Sequence, residues 1–141
     1  MSKYCKLACF LLFLFLTSFT FKPTDQNEWV KFQTYKGVNF YQKKVVKETS
    51  RYKHAYILFK YENTGDQSVN LNWKLNIWHN DNCRSCSLPS PNEYEMSLSL
   101  KAGQTTTGKI NDQDKMLKLF YKDLTNSENQ QLTKIEFKKL R

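Results

Sequence analysis

Glycine and proline are scarce in this chain, four and three among 141 residues. No glycine-rich phosphate loop, internal repeat or long low-complexity tract can be found, which leaves nucleotide-loop chemistry and repeat architectures without a basis. Histidine is rarer still, with only His54 and His79. No Ser–His–Asp constellation can be argued from that pair. No His follows the last cysteine, so the ligand order of a blue-copper site is absent. Acidic residues are outnumbered, 13 against 22 Lys and Arg, which gives a formal charge of +9. Cysteines number four, and only Cys83 and Cys86 stand in a C-x-x-C pair outside the N-terminal segment.

That segment reads as a leader. Lys3 and Lys6 form a basic head, residues 7–16 are an unbroken apolar run, and Thr17 and Ser18 follow. This is the three-part plan of a secretory signal peptide over residues 1–21. The run is shorter than the ~20 residues a spanning helix needs. The cleavage point is weakly marked, so an uncleaved N-terminal membrane anchor stays open. Cys9 does not read as a lipid-attachment site, because the apolar run continues past it and Lys6 stands where Leu is expected. With the leader gone, Cys83 and Cys86 are the remaining thiols in an oxidising compartment, where neighbouring cysteines pair. Loss of Lys3 and Lys6 takes the formal charge from +9 to +7. Such a charge favours anionic surfaces, whether lipopolysaccharide, phospholipid headgroups or nucleic acid. Solubility is the plainer account, since the lysines are spread along the chain.

The remainder, residues 22–141, fits one domain. Its apolar residues recur with a period of two. In residues 69–77, Val69, Leu71, Trp73, Leu75 and Ile77 alternate with Asn70, Asn72, Lys74 and Asn76. An extended chain sends successive side chains to opposite faces, so this is a strand with one dry and one wet face. Tyr94, Met96, Leu98, Leu100 and Ala102 repeat the pattern, as do Ile135 and Phe137 near the C-terminus. Ala55, Ile57, Phe59 and Tyr61 alternate with the partly apolar Tyr56 and Leu58, which suits a central strand. The early segment, with Trp29, Val30 and Phe32, reads as one or two strands joined near Gly37. Residues 62–67 supply Asn63 and Gly65, which accept a positive φ, for a reversal between two strong strands. Residues 112–124 carry both patterns: Met116, Leu117, Phe120, Tyr121 and Leu124 at helical spacing with Asp112 or Asp114 as cap, and a strand over residues 117–122. The strand is preferred because it completes a sandwich of about seven strands.

Two stretches add a resemblance. ILFKYENTGDQSVNLNW, residues 57–73, resembles the B-strand, Asn-x-Gly turn and C-strand of bacterial immunoglobulin-like domains. LSLKAGQTTTG, residues 98–108, resembles the apolar strand and turn found later in such domains. With its leader, the chain is similar to the small exported immunoglobulin-like proteins of Bacteroidota. The resemblance implies an immunoglobulin-like antiparallel β-sandwich and no particular activity. The inter-sheet disulfide of antibody domains is missing, because neither Ile57 nor Leu119, the expected inward positions, is Cys.

The candidate chemistry lies in residues 78–91, WHNDNCRSCSLPSP. A redox Cys-Arg-Ser-Cys needs its first thiol at a helix N-terminus. Here a strand and Asn80-Asp81-Asn82 precede the pair, and Pro89 and Pro91 follow it, so no helix is expected. His79, Cys83 and Cys86 are three donors suited to zinc or copper, but a structural zinc site needs a fourth, recruited from Met96 or His54. The preferred reading is a Cys83–Cys86 disulfide that stiffens the loop. Closing so short a ring stabilises by about 2 kcal/mol, little for the sandwich as a whole. Trp78, His79, Arg84 and Leu88 then form a candidate interaction loop. Glu93 and Glu95 read as solvated residues of one strand face. Lys43, Lys44, Lys47, Arg51 and Lys53, interleaved with Tyr41 and Tyr52, would serve a polyanion, although lysines also protect edge strands.

The expectation is therefore an exported, non-enzymatic interaction or accessory module, periplasmic or extracellular. It is expected to be monomeric and to need no cofactor. Its partner would be a protein or an envelope component, with no specific nucleic acid and no transmembrane domain once the leader is cleaved. The alternatives are a periplasmic metal- or thiol-handling protein using His79, Cys83 and Cys86, and a binder of polyanions at the cell envelope.

Overall fold

A computed structural model describes residues 28–86, 93–126 and 131–138. The expected leader, residues 1–21, and Leu88, Pro89 and Pro91 lie outside the described residues. Every regular element is a strand: β1 (Val30–Tyr35), β2 (Val38–Glu48), β3 (Lys53–Asn63), β4 (Val69–His79), β5 (Asn82–Cys83), β6 (Glu95–Leu100), β7 (Thr105–Thr107), β8 (Lys118–Asp123) and β9 (Leu132–Lys138). Among the described residues no helix is long and apolar enough to cross a membrane.

The strands form two antiparallel sheets. In the first, β1 pairs with β2 and β2 with β3, while β7 and β8 share the other edge of β3. In the second, β4 is flanked by β6 and the short β5 on one edge and by β9 on the other. Two links pass from sheet to sheet, at opposite ends of the sandwich: β3 runs into β4, and β8 into β9, with β8 paired antiparallel to β3 and β9 to β4. The early segment is thus two strands. They reverse at Lys36 and Gly37, whose successive positive φ values, 48° and 75°, suit a tight hairpin between Tyr35 and Val38.

The alternation read in the sequence sets the core. Ile57, Phe59 and Tyr61 of β3 face Leu71, Trp73, Leu75 and Ile77 of β4, with Val38, Phe40, Met96, Leu98, Leu100, Leu119 and Leu132 around them. Each such side chain contributes roughly 1.5–3 kcal/mol when fully buried. Aromatic rings join the sheets. Phe59 of β3 meets Phe137 of β9 at 6.0 Å between ring centroids and 87°, and Tyr61 of β3 meets Trp73 of β4 at 5.7 Å. Ile57 and Leu119 are cross-strand partners within one sheet, so they do not face each other across the sandwich. Ring contacts such as Phe59–Phe137 and Phe40–Trp73 span it. Tyr61 buries its hydroxyl and donates to the Met116 carbonyl at 2.7 Å. Burial, with Asp114 nearby, raises that phenol well above its ordinary pKa.

Residues 112–124 form the preferred strand, with a single turn before it in place of the helix. Asp114 accepts from the Met116 N–H through Oδ1 at 2.8 Å, and its carbonyl receives the N–H groups of Leu117 and Lys118. That makes one capped turn, after which β8 begins. The reversal after β3 departs from expectation, since neither Asn63 nor Gly65 has a positive φ. Asn63 instead buries its side chain, donating through Nδ2 to the carbonyls of Gln67 at 2.8 Å and Lys101 at 2.9 Å. Its Oδ1 accepts from the Gly65 N–H at 3.0 Å.

Candidate functional site

Cys83 and Cys86 are at disulfide distance, with Cα atoms 5.7 Å apart. The ring they close reaches further into the fold than its length implies. β4 is paired to β6 as far as Lys74 and to β5 at Trp78 and His79. Between those stretches the ladder changes partner, and Ile77 would lose its rung. The Ile77 N–H donates instead to Ser85 Oγ at 2.9 Å, and the Ile77 carbonyl accepts from the Arg84 N–H at 2.8 Å. Ser85 is accordingly buried, although exposed residues flank it on either side. The disulfide therefore closes a loop whose middle residue completes the sheet, a contribution that loop closure alone omits. Ser85→Ala should cost about 1–3 kcal/mol by stranding a buried N–H, measured by urea unfolding of the oxidised protein. Ser85→Thr, which keeps the oxygen, tests whether the hydroxyl is the cause.

The three candidate metal donors do not converge. Trp78 pairs with Cys83 and His79 with Asn82. Opposed residues share a face and successive residues alternate, so Cys83 lies on the outer side with Trp78 while His79 turns the other way. Met96 is in the core and His54 is in the other sheet. Among the described residues no group of three or more His, Cys, Asp or Glu is placed to hold a metal ion. Burial, then Arg84, holds the His79 imidazole below its ordinary pKa, with the Phe120 carbonyl acting in the opposite sense. Trp78 faces outward, half-buried, with the Lys134 ammonium 4.5 Å from its ring centroid. Arg84 is exposed. Glu93 and Glu95 do not act as a pair: Glu93 precedes β6 and bridges to Lys115.

A second surface is more concentrated than the sequence indicated. The outer face of the β3 sheet carries Tyr41, Lys43, Val45 and Lys47 of β2 opposite Lys60, Leu58, Tyr56 and His54 of β3. Lys118, Phe120 and Asp123 of β8 extend these rows. Tyr52 stacks on His54 at 4.4 Å, and Phe120 meets His54 edge-on at 5.4 Å and Tyr56 at 5.9 Å. Lys60 lies over Tyr41, 4.0 Å from its centroid, and Lys118 over Tyr56 at 5.1 Å. Leu58 faces outward yet is only 6% exposed. It lies between Lys43 and Lys118, whose aliphatic stems suit that role. Hydrogen bonding to Glu62 at 2.8 Å is the first cause raising the Tyr41 phenol above its ordinary pKa.

The sequence places Tyr41, Tyr52, Lys43 and Lys47 in one basic run and counts Lys44 among them. Lys44 turns the other way and donates to the Tyr121 hydroxyl at 3.3 Å. Lys53 bridges to Glu48 at 3.0 Å, and Arg51 lies exposed in the intervening turn. Lys60, Lys118 and Phe120 escape sequence reasoning, because only strand pairing brings them beside that run. Edge protection suits Lys43 and Lys47, since β1 covers β2 only as far as Gln42. It does not explain Lys60, which sits on a strand paired along both edges.

Comparison of the chain with family models, with curated proteins and with solved structures finds no match.

Proposed function

We propose that this chain is an exported, non-enzymatic binding module of immunoglobulin-like topology that holds its partner on the outer face of the β3 sheet. The two inter-sheet links, one at each end of the sandwich, and the buried Trp73 on β4 support the immunoglobulin-like assignment. The leader and the Cys83–Cys86 pair support export.

One observation carries the choice of surface, the difference between the two outer faces. The β4 sheet presents Asn70, Asn72, Lys74, Ser97 and Ser99, with Lys134 and Lys138 both bridged to Glu136. Its charges are largely paired and its side chains mostly small, with Trp78 its single outward ring among the described residues and Lys134 over it. The β3 sheet presents clustered rings with lysines among them, and Lys43 has no hydrogen-bond or ion-pair partner among the described residues. Half-buried aromatic and cationic side chains gathered on one outward face support a contact surface rather than a solubilising one. Residues 78–86 take a structural part in this assignment, with Ser85 completing the sheet.

The test is co-sedimentation of the purified protein with envelope fragments of the producing cell. Lys43→Ala with Lys60→Ala should cut retention about tenfold, in keeping with loss of two cationic contacts. Lys74→Ala with Lys138→Ala, on the opposite face, should leave it unchanged. Equal retention by both variants would overturn the assignment of the surface.

A further inference from the structure

The rings on the outer face of the β3 sheet are arranged in a way that selects among anionic ligands. A platform for nucleobases offers open ring faces on which bases stack. Here the rings already have partners. Lys60 covers Tyr41 and Lys118 covers Tyr56. Tyr52 and His54 cover each other, at an interplanar angle of 25°. Phe120 is packed edge-on to both His54 and Tyr56, at 88° and 82°.

What the face presents outward is a lattice of ammonium groups, phenolic hydroxyls and two carboxylates. Lys43 and Lys118 flank Leu58 on neighbouring strands, so their stems start roughly 10 Å apart, two strand spacings. Lys43 and Lys47 are four residues apart along β2, roughly 13 Å. Lys47 and Lys118 are steadied by Asn111 and the Ile110 carbonyl, at 3.2 and 3.0 Å. Glu62 and Asp123 stand among these cations, Glu62 held by Tyr41 and Asp123 facing His54 at 3.8 Å. Carboxylates in such positions repel a polymer with an anion on every unit and accept hydrogen bonds from neutral hydroxyls.

We infer that the ligand of this face is an acidic polysaccharide, a polymer in which carboxylate or sulfate groups alternate with hydroxyl-bearing sugar rings. Lysines take the anionic groups, and Glu62, Asp123 and the tyrosine hydroxyls take the sugar hydroxyls. The inference rests on the surface assignment made above, and names the chemistry of the ligand it holds.

The test is equilibrium binding of the full-length protein, at one ionic strength, to four probes: hyaluronate and unsulfated chondroitin, whose carboxylates stand on every second sugar, an oligo-dT strand, and vesicles of phosphatidylglycerol with phosphatidylcholine. The expected result is an affinity for one or both polysaccharides at least tenfold above that for oligo-dT and vesicles. Lys43→Ala with Lys60→Ala should weaken it about tenfold, and Lys74→Ala with Lys138→Ala should not. Tyr56→Phe should weaken it severalfold while leaving its salt dependence unchanged, the signature of a hydroxyl contact. Variants are compared at matched thermal unfolding, so a folding defect is not read as lost binding. Oligo-dT or vesicles binding as tightly as the polysaccharides would overturn the ligand class, and the surface assignment would survive if the Lys43 and Lys60 change still weakened them. Binding indifferent to that change would overturn both.

Discussion

Gly108→Ala is expected to lower stability by at least about 3 kcal/mol, the upper range for forcing extra atoms into a packed site. For a domain of this size that is a fall of roughly 10 °C or more in Tm. The cause is space, because Gly108 has no positive φ. It sits where β3 exchanges β7 for β8. Its N–H donates to the Phe59 carbonyl at 2.7 Å, and the Phe59 N–H donates to the Leu117 carbonyl at 3.0 Å. A Cβ at residue 108 would press on the Leu117 carbonyl and stand 3.0 Å from the Phe59 oxygen, all of it backbone. Relief requires the loop of residues 109–117 to part from β3, which releases both hydrogen bonds and loosens the Tyr61–Met116 contact. Gly103→Ala supplies the contrast. Gly103 has a φ of 69°, and a Cβ added there would meet nothing within 4 Å, so only backbone conformation opposes the change. That should cost about 1 kcal/mol. Thermal unfolding of the two variants separates the mechanisms, and similar losses in both would count against the crowding at Gly108.

The second large effect is expected at Asn63. Asn63→Asp keeps the shape and reverses a donor, setting a carboxylate oxygen against the carbonyls of Gln67 and Lys101, with that of Leu100 at 3.4 Å. The site is 1% exposed, so water cannot relieve the repulsion. At neutral pH the loss should reach at least about 3 kcal/mol, the cost of an uncompensated buried charge. The sign of its pH dependence follows. Burial beside carbonyls raises the folded-state pKa of the introduced carboxyl above its unfolded value of about 3.9. The variant therefore recovers stability relative to the parent below about pH 4 and loses it as the pH rises through the folded-state pKa. Asn63→Ala leaves the carbonyls unpaired without adding charge, so its deficit of about 2–4 kcal/mol should not vary with pH. Urea unfolding of the parent and both variants at acid and neutral pH checks this. A pH-independent Asn63→Asp deficit would show that the side chain is not held against those carbonyls.

The strands were legible because alternation is a local property: Val69 to Ile77 could be read without knowing what they face. The same stretch shows where legibility ends. Which strands share a sheet depends on contacts distant in sequence, and so Ile57 and Leu119 looked like partners across the core when they are neighbours within one sheet. Asn63 was recognisable as a residue of the turn, but its action comes from Lys101, far along the chain. Ser85 carried no sequence signal at all, since a serine between two cysteines is unremarkable until β4 needs a hydrogen-bond acceptor beside Ile77. For the binding face, the Tyr41–Lys47 run was visible in the sequence. Lys60, Lys118 and Phe120 were not, because they come from different strands and meet only through pairing.

The contrast between the outer faces also fixes an orientation. The two sheets are stacked back to back, so a chain lying with Tyr41, Lys43 and Lys60 against an anionic layer turns Asn70, Asn72 and Trp78 away from it. The strand links at either end then lie along the layer, with neither pole buried. A molecule so laid down has a fixed upper side, and on it sits the Cys83–Cys86 ring. Attachment and display would thus be assigned to opposite sheets of the same small domain.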